Sequence, residues 1–436
     1  MNTVQLNAPD AVRDIASRLE HSGFETWAVG GAVRDSLLGL KGSDWDLATR
    51  ARPRDVQKVF KRTVPVGIDH GTVGVLAKDG VMYEVTTFRL DVETFGRHAT
   101  VKFADTIEED LARRDFTFNA IAWNPITQEL RDPYNGFEDL RAARLQTVGD
   151  PKERFAEDYL RILRALRFAG HFVLNIEGGT WSALTSKVAQ LDILSAERIR
   201  EELWKVFTKT RHASAALKLY AESGVLRQLY PEVDKVVELD DKTVWTNTLA
   251  AVDAISIKRP AVRMAAFLHA IGMPIARVKD LRGEYRYTGH EVHGGRLAEN
   301  LMKRLKASNA DTDRVTNLVA WQNDFFPPDA PDAGIRRWLK HVPPDYVRDL
   351  FRLRMALHRA DDIKVRWLKA HKVLLDNPVL ETSQLALSGR DLKALGYKPG
   401  PDFGKIMDEL LQRVIDDPAL NDRDKLSAIV QETWPV

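Results

Sequence analysis

The chain contains no cysteine. That excludes disulfide partners, thiolate metal sites and a cysteine nucleophile, and it fits a reducing compartment. An excess of charge of one sign is lacking too: 64 Lys and Arg stand against 62 Asp and Glu, a formal net charge of +2. Overall charge therefore does not announce a polyanionic partner, and such an argument has to come from local clustering. No uninterrupted apolar run approaches the roughly 20 residues that a membrane-spanning helix needs. The first two dozen residues read as a polar lead and an amphipathic helix, without the cationic and apolar regions of a secretory leader. Internal repeats and low-complexity stretches are also missing. The expectation is a soluble, cytoplasmic protein without a membrane partner.

What is present is a chain of 436 residues, 44% of them hydrophobic, too long for one simple core and suited to two to four packed units. The first 145 residues change period often, with glycines at the changes. A short apolar run, Thr26–Val29, ends in Gly30-Gly31, and a helical pattern follows over 32–38. Alternating runs at 72–77 and 81–88 read as strands, separated by the turn Lys78-Asp79-Gly80. From about Asp150 the period is helical, with candidates at 157–169, 196–208, 213–223, 245–257 and 296–306. Pro and Asp in the stretch 326–334 mark a linker.

Two clusters in the first part carry chemistry. Paired glycines between a strand and a helix let backbone amides approach an anion, and the helix N-terminus adds partial positive charge, which suits a triphosphate. Asp44 and Asp46 follow; if both lie in one strand, they share a face. Carboxylates held together repel unless a cation lies between them, and oxygen ligands beside phosphate favour Mg²⁺. Glu84 on a later strand completes a set for in-line displacement with two metal ions. The plainer alternative for Asp-x-Asp alone is a solvated turn. In the second cluster, Arg113-Arg114-Asp115, forked donors suit phosphate oxygens and the carboxylate suits ribose hydroxyls; a helix cap with surface arginines is the other reading.

Together with Asn119-Ala120 and Glu157-Asp158-x-x-Arg161, Arg164 and Arg167-Phe168, these segments occur in the order and spacing of the class II tRNA nucleotidyltransferases and bacterial poly(A) polymerases. The resemblance covers nearly the whole chain. It implies an α+β fold: a polymerase-β-like nucleotidyltransferase head at 1–145, then an all-helical neck at 146–210, body at 211–326 and tail at 327–436. It implies that Asp44 and Asp46 bind the metals with Glu84 as a further catalytic acid. Gly30, Gly31, Arg34, Arg114, Asp115, Asn119 and Arg164 are then nucleotide-binding. The activity implied is addition of CCA to the 3′ end of tRNA from CTP and ATP.

Base selection has a physical reading of its own. On one helix, Asp158 and Arg161 are neighbours, an acceptor beside a donor. C and A offer an exocyclic amino donor and a ring-nitrogen acceptor, whereas U and G present a carbonyl and a ring N–H, so the pair rejects UTP and GTP by leaving polar groups unpaired. A surface ion pair is the bland alternative. The stretch 89–109, with Gly96, stands where the family has a flexible loop that helps change C for A, and favours CCA addition over CC-only addition; an ordinary hairpin is its alternative. Ser195-Ala196-Glu197-Arg198 reads as a helix start with Ser195 as N-cap. Segment 336–372 holds eleven Lys or Arg against four Asp or Glu, with Trp338, Tyr346, Phe351 and Trp367 interleaved. It fits either a tRNA-backbone surface or a solvated helix face. The run 387–401 resembles tails of the family.

The region 245–326 resembles a degenerate HD domain, a helical metal-dependent phosphohydrolase. Asn247 stands where the first His is expected, His269-Ala270 at the His-Asp pair, Gly289-His290-Glu291 at the third position and Gln322 where a final His falls. Amide and methyl groups cannot replace imidazole and carboxylate, so the expectation is a folded, metal-free body even though His269, His290 and His293 remain. The rivals within the enzyme class are an A-adding or CC-adding specialist and a poly(A) polymerase, in which a proline commonly follows the Glu-Asp pair; here Tyr159 follows. The rival outside it is an RNA-binding protein that has lost catalysis, against which intact Asp44, Asp46 and Arg114 speak.

Overall fold

The protein is described by a computed structural model that gives residues 4–40, 44–95, 98–357 and 361–435. The chain divides into two compact units, Met1–Pro231 and Glu232–Val436.

The first unit opens with α1 (Asp10–His21), β1 (Thr26–Val29), α2 (Gly31–Leu37), β2 (Asp46–Thr49), α3 (Pro53–Val59), β3 (Thr63–Gly67), β4 (Thr72–Leu76) and β5 (Met82–Thr87). It continues with the hairpin β6 (Arg89–Phe95) and β7 (His98–Phe103), then α4 (Ile107–Ala112), β8 (Ala122–Trp123) and β9 (Leu130–Arg131). Helices α5 (Gly136–Arg141), α6 (Pro151–Glu157), α7 (Leu160–Phe172), α8 (Gly178–Ser186), α9 (Ala196–Lys209) and α10 (Ala213–Glu222) follow. Seven strands form one mixed sheet in the order β3-β4-β5-β2-β1-β8-β9, in which only β2 and β5 run parallel. Within 89–103, β6 and β7 pair antiparallel; Gly96 lies outside the described residues.

Strand alternation decides where the site lies. Ala28, Leu47, Val73, Val75, Tyr83 and Val85 are buried on one side, the side on which α1 and α3 pack with Ile15, Leu19 and Val56. Register places Asp46, Thr72, Gly74, Glu84 and Thr86 on the other. Beyond β1, that other side is closed by a core of Trp27, Phe88, Ile107 and Leu111. Over β2, β4 and β5 it is open.

Two expectations are corrected in this unit. Asp44 precedes the strand, which begins at Asp46, so the two aspartates do not share a pleat. The single helix expected over 157–169 is two: α6 stops at Glu157, and Asp158 is extended, with φ −152° and ψ 107°. The cause is local. The Asp158 side chain accepts the Leu160 N–H at 3.0 Å, an Asx-type turn that takes the place of a helical bond. Ser195 does occupy the N-cap position of α9, yet its hydroxyl makes no capping bond and is buried without a partner among the described residues. Gly170 of α7 lies against α10, where an added Cβ would meet the Ala216 backbone nitrogen at 2.4 Å.

The second unit is built from helices, including Lys242–Ala254, Pro260–Leu268, His290–Arg304, Asn309–Ala320, Asp332–His341, Pro344–Leu357 and Asp361–Leu375. The expected linker is shorter than 326–334, because a helix begins at Asp332. Within segment 336–372, Trp338 and Phe351 are buried. Trp338 stacks on Phe325 with centroids 6.0 Å apart, and Tyr346 meets Trp321 edge-on at 5.3 Å. Trp338 and Phe351 thus belong to the core of this unit, while Tyr346 is half-buried. Several of the cations are also engaged internally: Arg336 donates to the Ile415 and Asp416 carbonyls, Arg337 pairs with Asp416 and Lys372 pairs with Asp332.

Candidate active site

The open side of the sheet, the start of α2, the α4–β8 segment and α7 enclose a cleft of about 570 Å³. Gly30, Gly31, Arg34, Asp46, Glu84, Arg114, Asp115, Asn119, Asp158, Arg161 and Arg164 all line it. Asp44 is exposed and outside the lining, though close enough for its charge to act on Asp46.

Gly30 is required by its backbone. It has φ 73° and ψ −133°, a region that side-chain-bearing residues pay to enter, and a Cβ there would lie 3.1 Å from Arg114 Nη1. The turn thus brings the N-terminus of α2 against the Arg114 guanidinium. Arg114 donates to Asp110 at 3.1 Å and to the Asn119 carbonyl at 3.3 Å, while its Nε is buried without a partner among the described residues. An orphaned cationic donor beside a glycine turn is a place for an anion.

A network fixes the opposite wall. Arg34 donates to Asp35 at 2.7 and 2.8 Å and to Asn119 Oδ1 at 2.7 Å. Asn119 Nδ2 donates to Asp115 at 2.9 Å, and Arg164 donates to the same carboxylate at 2.8 Å through Nε. Burial pushes Asp115 up, but Arg164 and the donors Asn119 and Phe116 outweigh it, and its carboxyl ends below the ordinary value. Arg34 is also stacked on Phe172 and Phe168, so it is built into the wall.

Asp158 and Arg161 both face the cleft without pairing with each other. Asp158 accepts from Arg198 of α9 at 2.7 Å. Arg161 pairs with Glu157, the last residue of α6, and donates to the carbonyls of Arg154 and Arg113 at 2.9 and 3.2 Å.

On the sheet, Asp46 and Glu84 occupy adjacent positions of parallel strands. The Asp46 carboxyl is pushed up to about 6, first by the protein around it, then by Glu84 and Asp44, with Arg114 opposing. This excess of negative oxygen fits a hard divalent cation. Among the described residues, however, no three His, Asp or Glu are already drawn together as a ligand cage.

Several lining residues were not read from the sequence as site residues: Thr72, Thr86, Arg89 and Asp110. Asp110 had a signal. It stands three and four residues before Arg113 and Arg114 and is 1% exposed, pairing with both. The Arg198 contact to Asp158 spans 40 positions and had none.

Comparison with known proteins identifies the family. Residues 26–146 match the poly A polymerase head domain family, 174–236 the probable RNA and SrmB-binding site of polymerase A, and 293–430 the putative domain 2 of tRNA nucleotidyltransferases. The CCA-adding enzyme of Limosilactobacillus fermentum is 31% identical over 96% of this chain and 95% of its own. This chain belongs to the CCA-adding enzyme family. It is a nucleotidyltransferase with the mixed-sheet head and helical remainder of that family. The Anoxybacillus flavithermus CCA-adding enzyme is 32% identical over 94% of both chains. The Bacillus stearothermophilus CCA-adding enzyme, solved in complex with CTP, superposes with a TM-score of 0.77 at 28% identity over 97% of each chain. The tRNA-bound Thermotoga maritima member, at 18% identity and a TM-score of 0.60, shares the fold.

The second unit contains the positions expected of a degenerate HD domain. Asn247, His269, His290 and Gln322 converge on a separate cavity of about 240 Å³, joined by Arg354. Gln322 Nε2 donates to the His269 and Val319 carbonyls at 2.8 and 3.0 Å, and exposed His293 lies outside the lining. No described helix is long and apolar enough to cross a membrane.

Proposed function

We propose that the protein adds C, C and A to the 3′ end of tRNA, taking CMP and AMP from CTP and ATP and releasing pyrophosphate, in the cytoplasm. The observation that carries this reading is the convergence, in one cleft, of the glycine turn with an orphaned arginine, adjacent carboxylates on the sheet, and Asp158 with Arg161. The division into head 1–145, neck 146–210, body 211–326 and tail 327–436 goes with it.

The residues then divide the work. Gly30 and Gly31 bring backbone amides to the triphosphate, and Arg114 offers it the unpaired Nε. Asp115, held by Asn119 and Arg164, faces the sugar. Arg34 orients Asn119 and supports this wall. Asp46 and Glu84, with Asp44 closing in, would hold Mg²⁺, which supplies charge neutralisation for the attacking and leaving oxygens. The acceptor's 3′ oxygen forms a bond to the α-phosphorus as the bond to pyrophosphate breaks.

Asp158 accepts from the exocyclic amine of C or A. Arg161 contributes an N–H to the ring nitrogen, since three bonds do not exhaust its five donors. Arg198 and Glu157 keep the two side chains apart, so each can read its own atom of the base edge. The body needs no metal in this reading: amides stand at 247 and 322, an alanine at 270, and Gln322 is spent on backbone carbonyls. It is expected to have no phosphatase or 2′,3′-cyclic phosphodiesterase activity.

The test supplies tRNA ending at the discriminator base, at C or at CC with each nucleoside triphosphate separately, and sequences the ends. Two additions from CTP and then a single one from ATP are expected. Runs of A, A alone or C alone would instead identify a poly(A) polymerase, an A-adding or a CC-adding specialist. No addition to any end would leave an RNA-binding protein.

A further inference from the structure

The floor of the cleft does not end at its carboxylates. Met82 stands two residues before Glu84 on β5, so both side chains leave the same face of the sheet, about 6.6 Å apart along the strand. Across β4, Gly74 pairs with Glu84, and across β3, Val64 pairs with Gly74. Val64, Val66 and Met82 are 45%, 43% and 46% exposed. Gly74 is the bare spot between them: a Cβ there would lie 2.7 Å from Met82 Sδ and 2.9 Å from Val66 Cγ2. Met82 and Val66 therefore close over the glycine backbone and make one continuous apolar shelf running out from Glu84. Lys61 and Arg62, both exposed, immediately precede β3.

We propose that this shelf seats the unpaired 3′-terminal nucleotides of the acceptor RNA, with its hydroxyl at Asp46 and Glu84. The inference rests on the nucleotidyl-transfer reading and adds a subsite to it. The wall formed by Asp115, Asp158, Arg161 and Arg164 is taken by the incoming nucleotide, so the attacking strand has to approach from the sheet side. Every base has an apolar face that can lie on valine and methionine, and Lys61 and Arg62 suit the phosphates that follow. A surface without hydrogen-bonding side chains sets no register. That suits a strand end that must advance by one nucleotide after each addition. A second protein strand is a poor occupant, because β3 carries Pro65 and a bulge between Val64 and Gly67, both of which oppose edge-to-edge pairing.

The experiment uses the full chain with tRNA ending in CC and saturating ATP. Val66→Ser combined with Met82→Ser should raise KM for tRNA about tenfold, through loss of the apolar surface buried under roughly one base, while KM for ATP moves less than twofold. Val81→Ser, just before β5 and outside the cleft lining, should leave both unchanged. A benzophenone side chain at position 66 of the otherwise intact protein should crosslink to the last three nucleotides of the tRNA. An unchanged KM for tRNA, or a crosslink to the tRNA elbow or to a second copy of the chain, overturns the shelf while wild-type addition stands. A wild-type protein that adds nothing to any end removes the reading beneath it.

Discussion

Asp46→Asn should abolish nucleotide addition and stabilise the fold at the same time. The folded Asp46 carboxyl lies at about 6 against an ordinary 3.8, and at about 1.36 kcal/mol per unit the shift bounds the cost of its charge near 3 kcal/mol. Asp46 is exposed to the open cleft, so screening by solvent reduces this to about 1 kcal/mol. A raised carboxyl pKa means that the folded protein keeps its proton while the unfolded chain has lost it. Stability therefore falls as pH rises from about 4 to 6, and the full penalty is present above 6. Asparagine removes the charge with little change of shape, so melting followed by scanning fluorimetry at pH 7.5 should rise by about 2–4 °C. At pH 4 the advantage should vanish. Millimolar Mg²⁺ should raise the wild-type transition toward that of the variant and move the variant much less. A variant that melts at or below the wild type at pH 7.5, or an advantage undiminished at pH 4, would refute the argument.

Asp158→Ala should relax base choice more than it slows transfer, seen as UTP and GTP incorporation rising at least tenfold relative to CTP and ATP in single-nucleotide assays; equal rejection would remove Asp158 from base reading. Gly170→Ala should cost about 1–3 kcal/mol in urea unfolding by forcing α7 and α10 apart, and a neutral effect would mean that this contact gives way easily. Asp110, Asp115 and Glu202 are each held below their ordinary values: burial pushes them up, but paired arginines and hydrogen bonds outweigh it. Their contribution is fully present above the unfolded carboxyl range and is lost as pH falls through the lower folded values. Circular dichroism of an acid titration should show cooperative loss of structure well below pH 4, and loss beginning at pH 6 would contradict this.

The short sheet elements were legible because glycines and alternation mark them: Thr26–Val29 is β1, and the expected runs at 72–77 and 81–88 are β4 and β5 within a residue or two. Most expected site residues also converge on one cleft, since motif order survives without knowledge of the backbone. What failed was geometry within motifs. Asp158 breaks the helix because its own side chain captures the Leu160 N–H, a local competition that helical periodicity conceals. Asp44 falls outside the strand because β2 pairs with β1 only from Asp46 onward. Trp338 and Phe351 turn inward, which the spacing of 336–372 could not show because it does not reveal which side of a helix meets its neighbours.

The chain of bonds from Asp35 through Arg34, Asn119 and Asp115 to Arg164 joins residues that span 129 positions, from 35 to 164. On the proposed nucleotidyl-transfer reading it ties the phosphate end of the cleft to the helix that carries the base end, so a wrongly shaped base at α7 would be felt at the glycine turn and discrimination would show in the rate of transfer as much as in binding. A double-mutant cycle between Asn119→Ala and Asp158→Ala, read on misincorporation, should yield non-additive effects; strictly additive losses would mean that the two ends act as separate sites.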